Sequence, residues 1–100
     1  MSLLIDPFIL NIILQDKQYI FNVAQTYVSD NIEIFTLTFG ERSLQMQSNR
    51  PYIRGLNLNK KRIEWKALNG KVKYQSSLEK IKGELEAYIR KIERPAFNRG

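Results

Sequence analysis

The chain contains no cysteine and no histidine among its 100 residues. Without cysteine there is no thiolate nucleophile and no disulfide framework, and without histidine there is no Ser-His dyad and no imidazole acid or base. A zinc site built from the usual nitrogen and sulfur ligands is excluded as well. Carboxylates alone can support hydrolysis, but the side chains used in catalysis are few. We therefore expect a non-enzymatic protein with no catalytic residues, no cofactor and no metal site.

Long hydrophobic runs are also scarce. The longest apolar-rich run, residues 3–14, is interrupted by Asp6, Pro7 and Asn11, whereas a membrane-spanning helix needs ~20 apolar residues. The run lacks the basic leader and small-residue cleavage site of a signal peptide. We expect no integral membrane association and a cytoplasmic location.

The residues that are present favour one small α+β domain over residues 1–95, followed by a frayed tail over 96–100, because a chain of this length builds a single core. Apolar residues recur at every second position in the first half, which is the period of a strand with one buried face. This alternation predicts strands over 8–14, 18–28, 32–39 and 42–48.

The turns between these strands predict how the strands pair. A two-residue turn at Asp16-Lys17 would place Leu14 opposite Tyr19, Ile12 opposite Phe21 and Leu10 opposite Val23, so that the apolar residues meet on one face. Ser29-Asp30-Asn31 is a turn by composition. Gly40-Glu41 fits a type II′ turn, which would place Leu37 opposite Leu44 and Phe35 opposite Met46.

Two stretches depart from simple alternation. In the third strand the apolar parity changes from Ile32 and Ile34 to Phe35, Leu37 and Phe39, which predicts a bulge near Ile34-Phe35. Residues 48–60 are punctuated by asparagine, proline and glycine and are predicted as mostly loop, with a short edge strand at Tyr52-Ile53-Arg54 as the alternative.

Asn69-Gly70 is the strongest hairpin signal in the chain, because both residues tolerate the left-handed conformation of a type I′ turn. It predicts strands over 61–68 and 71–75, with Trp65 opposite Tyr74 on an apolar face that favours a core role for Trp65. On the other face Lys66 would lie opposite Lys73, and directly opposed like charges favour a bound anion.

A C-terminal amphipathic helix is predicted over residues 77–94. Ser76 and Glu79 have the spacing of a capping box, and Pro95 ends the helix. Its apolar stripe consists of Leu78, Ile81, Leu85, Tyr88 and Ile92, with Ile89 widening it.

The predicted fold class is therefore α+β: an antiparallel meander of about six strands with one C-terminal amphipathic helix. One helix about 10–12 Å wide cannot cover a six-stranded sheet, so the sheet must curl into a partly open barrel or be covered by a second copy. This order of elements resembles that of pleckstrin-homology domains, and also that of the dimeric single-strand binders of the Pur-alpha type, without a shared sequence motif.

Charge divides the chain into two unlike halves. Residues 1–49 hold 2 basic and 5 acidic residues, whereas residues 50–100 hold 14 basic and 5 acidic ones, for net charges of −3 and +9. Such asymmetry favours an anionic partner. The candidate binding residues lie in or beside the central loop and on the outer face of the Asn-Gly hairpin, with an aromatic stacking platform among them: Arg50, Tyr52, Arg54, Lys60, Lys61, Arg62, Lys66, Lys71 and Lys73.

These features predict a small non-enzymatic binding module that contacts an anionic partner, first of all nucleic acid through its phosphates. One alternative is a structural or protein-interaction domain that forms a homodimer through a sheet edge or helix face. Another is a pleckstrin-like module that binds anionic lipid. The plainest alternative is a solvated surface whose lysine repulsion is screened by salt.

Overall fold

The computed structural model describes residues 4–56, 62–70 and 74–93. They form a five-stranded antiparallel sheet and two helices: β1 (Phe8–Leu14), β2 (Lys17–Val28), β3 (Glu33–Phe39), β4 (Arg42–Ser48), α1 (Arg50–Gly55), β5 (Trp65–Asn69) and α2 (Gln75–Glu93). The strands lie side by side in chain order, in an open meander. The α+β class with an antiparallel meander and one C-terminal helix is thus confirmed, with five strands in place of about six.

The turn between β1 and β2 differs from the predicted one. Gln15 and Asp16 form it, with φ of 51° and 66°, and Leu14 pairs with Lys17 and not with Tyr19. Positive φ at both central residues is the mark of a type I′ turn, whose twist matches that of the strands it joins. The predicted register was wrong by two residues, which leaves the same side chains on the same face because the strand period is two.

The bulge lies in β2 and not in β3. The register shifts between Gln25 and Tyr27 of β2, whereas Glu33, Phe35 and Leu37 of β3 alternate without a break and are all buried. The prediction was wrong because Glu33 occupies an inner position of β3. A charged residue at that position hides from the sequence which residues of β3 face inward. The next turn agrees with prediction: Gly40 has a φ of +62°, and the expected pairs of β3 with β4 are confirmed.

Residues 50–55, predicted as loop or edge strand, form the helix α1. Pro51 stands at its start, where a missing N–H costs nothing, and Pro51 and Ile53 are buried. A six-residue helix is too short to show a sequence period and too short to form by propensity alone. Burial of one side therefore stabilises α1.

The last predicted hairpin is only partly tested. Within the predicted strand 61–68, residues 62–64 have no regular structure and β5 runs from Trp65 to Asn69. Residue 61 and residues 71–73 lie outside the described residues. Tyr74 is irregular and Gln75 begins α2, so the proposed end of a sixth strand at 74–75 is wrong.

Helix α2 packs on the inner face of the sheet. Ile81, Leu85 and Ile89 are buried in the core, and Tyr88 stacks on Phe8 with ring centroids 3.8 Å apart. Trp65 packs against the same core and donates its indole N–H to Glu86 Oε1 at 3.1 Å. The core role of Trp65 thus agrees with the sequence pattern, and so does the helix stripe except at Ile92, which is 45% exposed.

The start of α2 is built differently from the predicted capping box. Glu79 accepts hydrogen bonds from Gln75 Nε2 at 2.8 Å and from Lys82 Nζ at 3.3 Å. The Tyr74 carbonyl accepts from the backbone N–H groups of Ser77 and Leu78. The helix therefore begins upstream of Ser76, which removes that residue from the capping position. Predicted helix residue Arg94 and the predicted tail at 96–100 lie outside the described residues.

Candidate functional site

Arg50, a predicted surface cation, is buried within the protein. Its side chain and that of Glu33 are both 0% exposed, and the guanidinium meets the carboxylate at two points. Arg50 Nε donates to Glu33 Oε2 at 2.7 Å and Nη2 donates to Oε1 at 2.5 Å. This two-point geometry is the strongest form of an arginine–carboxylate pair. Arg50 therefore joins α1 to the start of β3 and does not belong to an exposed binding surface.

Two neutral side chains complete this buried cluster. Gln25 Nε2 donates to Glu33 Oε1 at 2.8 Å, and Ser48 Oγ donates to Glu33 Oε2 at 2.7 Å. No buried side-chain polar atom of the described residues lacks a hydrogen-bond partner. A buried ion pair stabilises a protein only when its remaining polar sites are satisfied. Since they are satisfied here, we interpret the cluster as a structural link between α1 and β3.

The remaining described candidates lie at the end of the sheet where β4 ends and β5 begins. Asn49 Oδ1 accepts the backbone N–H of Glu64 at 2.9 Å, which holds the segment before β5 against the start of α1. This contact brings the helix and the segment together at one end of the sheet. We call the four predicted residues on these elements the basic corner: Tyr52, Arg54, Arg62 and Lys66.

The basic corner combines positive charge with an exposed ring. Arg62, Lys66 and Tyr52 are exposed, and Arg54 is half-buried. Glu64, which is also exposed, is the acidic residue between Arg62 and Lys66 in the sequence. The other predicted site residues, Lys60, Lys61, Lys71 and Lys73, lie outside the described residues, so the Lys66–Lys73 pairing is untested.

Helix α2 carries further cations that were not predicted as binding residues. Lys82 pairs with Glu79 at 3.3 Å and Arg90 with Glu86 at 2.7 Å. Lys80 and Lys91 are exposed and form no salt bridge with the rest of the described chain. They offer a reference for any charge effect of the basic corner.

The outer face of the sheet, turned away from α2, is almost free of charge. By strand alternation Lys66 is the single charged side chain that the described strands place there. Ile9, Ile13 and Ile20 on β1 and β2 are 62%, 57% and 51% exposed. The sequence period places these isoleucines outside the core, and in the finished sheet Ile9 and Ile13 flank Asn11, which pairs with Ile20.

Within residues 4–56, 62–70 and 74–93 there is no group of acidic side chains arranged to hold a metal ion. None of the described helices is both long and apolar enough to cross a membrane. Comparison of the chain with protein-family models, with curated proteins and with solved structures finds no match.

Proposed function

We propose that this protein is a non-enzymatic binding module whose basic second half contacts an anionic partner, with nucleic acid as the first candidate. The observation that carries the proposal is the basic corner, in which the Asn49–Glu64 hydrogen bond holds Tyr52 and Arg54 at the same end of the sheet as Arg62 and Lys66. Cations beside an exposed aromatic ring suit single-stranded nucleic acid, because phosphates pair with the cations and a base stacks on the ring.

The covalent chain carries two further cations directly before the basic corner. Lys60 and Lys61 immediately precede Arg62. Binding through phosphates is expected to show little sequence preference, because phosphate contacts carry no base information.

The test is the salt dependence of oligonucleotide binding. A fluorescein-labelled oligothymidylate is titrated with protein between about 50 and 200 mM salt, where a loss of phosphate contacts is most visible. Arg62→Gln combined with Lys66→Gln should weaken binding and reduce the slope of log K against log salt by about 1.4, since each phosphate contact contributes ~0.7 for single strands. Tyr52→Leu should weaken binding without changing that slope.

Lys80→Gln combined with Lys91→Gln is the matched control, because it removes the same charge from α2. The control should leave the slope nearly unchanged. Equal slopes for the two double variants would contradict a localised footprint. Binding to vesicles that contain anionic lipid, with none to oligonucleotides, would replace the nucleic-acid proposal with the lipid alternative.

A second candidate function is self-association through the outer face of the sheet. Lys66 is the single charged side chain that the described strands place on this face, and interface cores are depleted in charged residues. Five strands ~4.8 Å apart and about seven residues long give a face of roughly 24 by 24 Å. Two such faces would bury about 1,100 Å² in total, which reaches the lower limit of a specific interface. A face with so little charge favours a second copy of this chain over the polyanion that the basic corner would attract.

Light scattering after size-exclusion chromatography tests the second candidate. The wild-type chain should elute as a dimer, and Ile13→Lys combined with Ile20→Lys should elute as a monomer, because four lysines would be brought into one dimer interface. Arg62→Gln, away from these isoleucines, should remain dimeric. A wild-type monomer at high protein concentration would contradict the second candidate and leave the first one standing.

A further inference from the structure

A cavity of about 400 Å³ opens between the inner face of the sheet and the first turns of α2. It lies at the end of the sheet with the Gln15-Asp16 and Gly40-Glu41 turns, opposite the end that holds the basic corner. Five strands at ~4.8 Å spacing make a sheet about 24 Å wide, whereas a helix is about 10–12 Å wide. Helix α2 therefore leaves part of the inner face open at this end.

Aromatic rings form one wall of the cavity. The ring of Tyr19 lies 6.2 Å from that of Phe21 and 4.9 Å from that of Phe39, measured between centroids. Phe39 is on the inner face but is still 37% exposed. An apolar wall in a cavity of this size is typical of small-molecule sites, which range from about 300 to 1,000 Å³. The cavity can therefore accept a flat apolar body.

Two cations line the same cavity. Strand alternation puts Lys17 on the inner face with Tyr19, and Arg42 on the inner face with Leu44. Both are exposed and form no salt bridge with any part of the described chain. Two such cations beside an apolar wall attract an anion, and an arginine can hold a carboxylate at two points.

Ser77 lines the cavity from the first turn of α2. The residue is 6% exposed, so a larger side chain at this position would extend into the cavity. Its hydroxyl can donate a hydrogen bond to an oxygen atom of a ligand.

We propose that this cavity binds a hydrophobic organic acid, with a flat apolar body against Tyr19 and Phe39 and a carboxylate directed to Lys17 and Arg42. The apolar wall provides affinity for the body, and the cations select the anion over a neutral analogue. This site shares no residue with the basic corner or with the outer face. Its test is therefore independent of the tests of the proposed function.

The experiment is an NMR titration of the full chain with 2-naphthoate and, separately, with its neutral analogue 2-naphthamide. We expect 2-naphthoate to shift the amide signals of Tyr19, Phe39 and Ser77, and to bind at least about tenfold more tightly than the amide, since a charge-assisted hydrogen bond contributes a factor of that order. Lys17→Gln combined with Arg42→Gln should abolish this difference.

Two further variants separate the effect of charge on ligand binding from the effect of cavity volume. Lys80→Gln combined with Lys91→Gln changes the charge equally on α2 and should preserve the preference for the acid. Ser77→Leu fills the cavity without changing charge and should weaken both ligands; its amide spectrum shows whether the fold is retained. Shifts confined to Ile9, Ile13 and Ile20, no shifts at millimolar ligand, or a preference that survives loss of Lys17 and Arg42 would overturn the proposal.

Discussion

Arg50 shows that tertiary contacts can bury a charged residue that its sequence context predicts to be exposed. In the sequence it stands at the start of a basic segment, but in the structure its charge is neutralised by Glu33, which comes from the acidic half of the chain. Removing one partner of such a buried pair leaves an uncompensated charge out of water, which costs far more than the pair itself contributes. Arg50 and Glu33 should therefore act as a unit.

The first prediction concerns this pair. Arg50→Met should lower the free energy of unfolding by about 3–5 kcal/mol, because Glu33 would remain buried without its partner. Arg50→Met combined with Glu33→Leu should recover most of that loss, since two apolar residues need no charge compensation. Urea denaturation measures both variants.

Arg90→Met provides the comparison for this prediction. Its salt bridge with Glu86 has an arginine side chain that is 65% exposed, and exposed pairs contribute at most about 1 kcal/mol. If Arg50→Met were as mild as Arg90→Met, the Arg50–Glu33 pair would not be buried as described.

At the scale of elements, the turns show which local signals are strong. Gly40 supplies positive φ at the first position of a type II′ turn, and the predicted pairing of β3 with β4 follows from it. The Gln15-Asp16 turn carries no glycine, so composition could not separate it from Asp16-Lys17. Helix α1 gave no periodic signal, because its six residues are too few to show the period of a helix.

The second prediction compares two glycines. Gly70 has a φ of +100°, and a Cβ there would clash with the Ser43 carbonyl oxygen. Gly70→Ala should therefore lower the free energy of unfolding by at least about 2 kcal/mol, from left-handed strain and overpacking together. The midpoint of urea unfolding reports the loss.

Gly83 is the control for Gly70, because it lies in α2 with open space where a Cβ would be added. Gly83→Ala should raise the free energy of unfolding by up to about 1 kcal/mol through helix propensity. If Gly70→Ala were tolerated as well as Gly83→Ala, neither the positive φ nor the contact with Ser43 would require glycine at position 70.

At the scale of the whole molecule, one helix covers a sheet that is wider than itself. The consequence is an uneven core: β3 lies between two strands and is buried on its inner side, whereas β5 pairs only with β4 among the described strands and is largely exposed. The same mismatch of widths leaves the cavity beside α2 open.

The third prediction follows from this uneven burial. Amide hydrogen exchange should be slowest in β3, at opening free energies close to that of global unfolding, and lower by at least about 2 kcal/mol in β5. Strand β1 should exchange more slowly than β5 although it is also an edge strand, because Leu10 and Ile12 are buried under α2. Equal protection in β5 and β3 would show that β5 is covered, as a dimer would cover it.

Much of the architecture was already present in the order of residues along the chain. Alternation in β1 to β4, the Gly40 turn and the apolar stripe of α2 depend on contacts within or between neighbouring segments, so a local pattern suffices to predict them. The candidate site was less predictable. Of the predicted site residues, Arg50 lies inside the protein, whereas Tyr52, Arg54, Arg62 and Lys66 lie at one end of the sheet.

The partner of Arg50, the helix at 50–55 and the cavity that joins Lys17 to Arg42 arose only when distant strands were aligned. Glu33 looked like an interruption of an apolar strand, and nothing within a few residues of it showed that Gln25, Ser48 and Arg50 would surround its carboxylate. The physical reason is that the periodic spacing of apolar residues reflects the local geometry of strands and helices. Burial of a charge depends instead on which residues the finished strand register places opposite it.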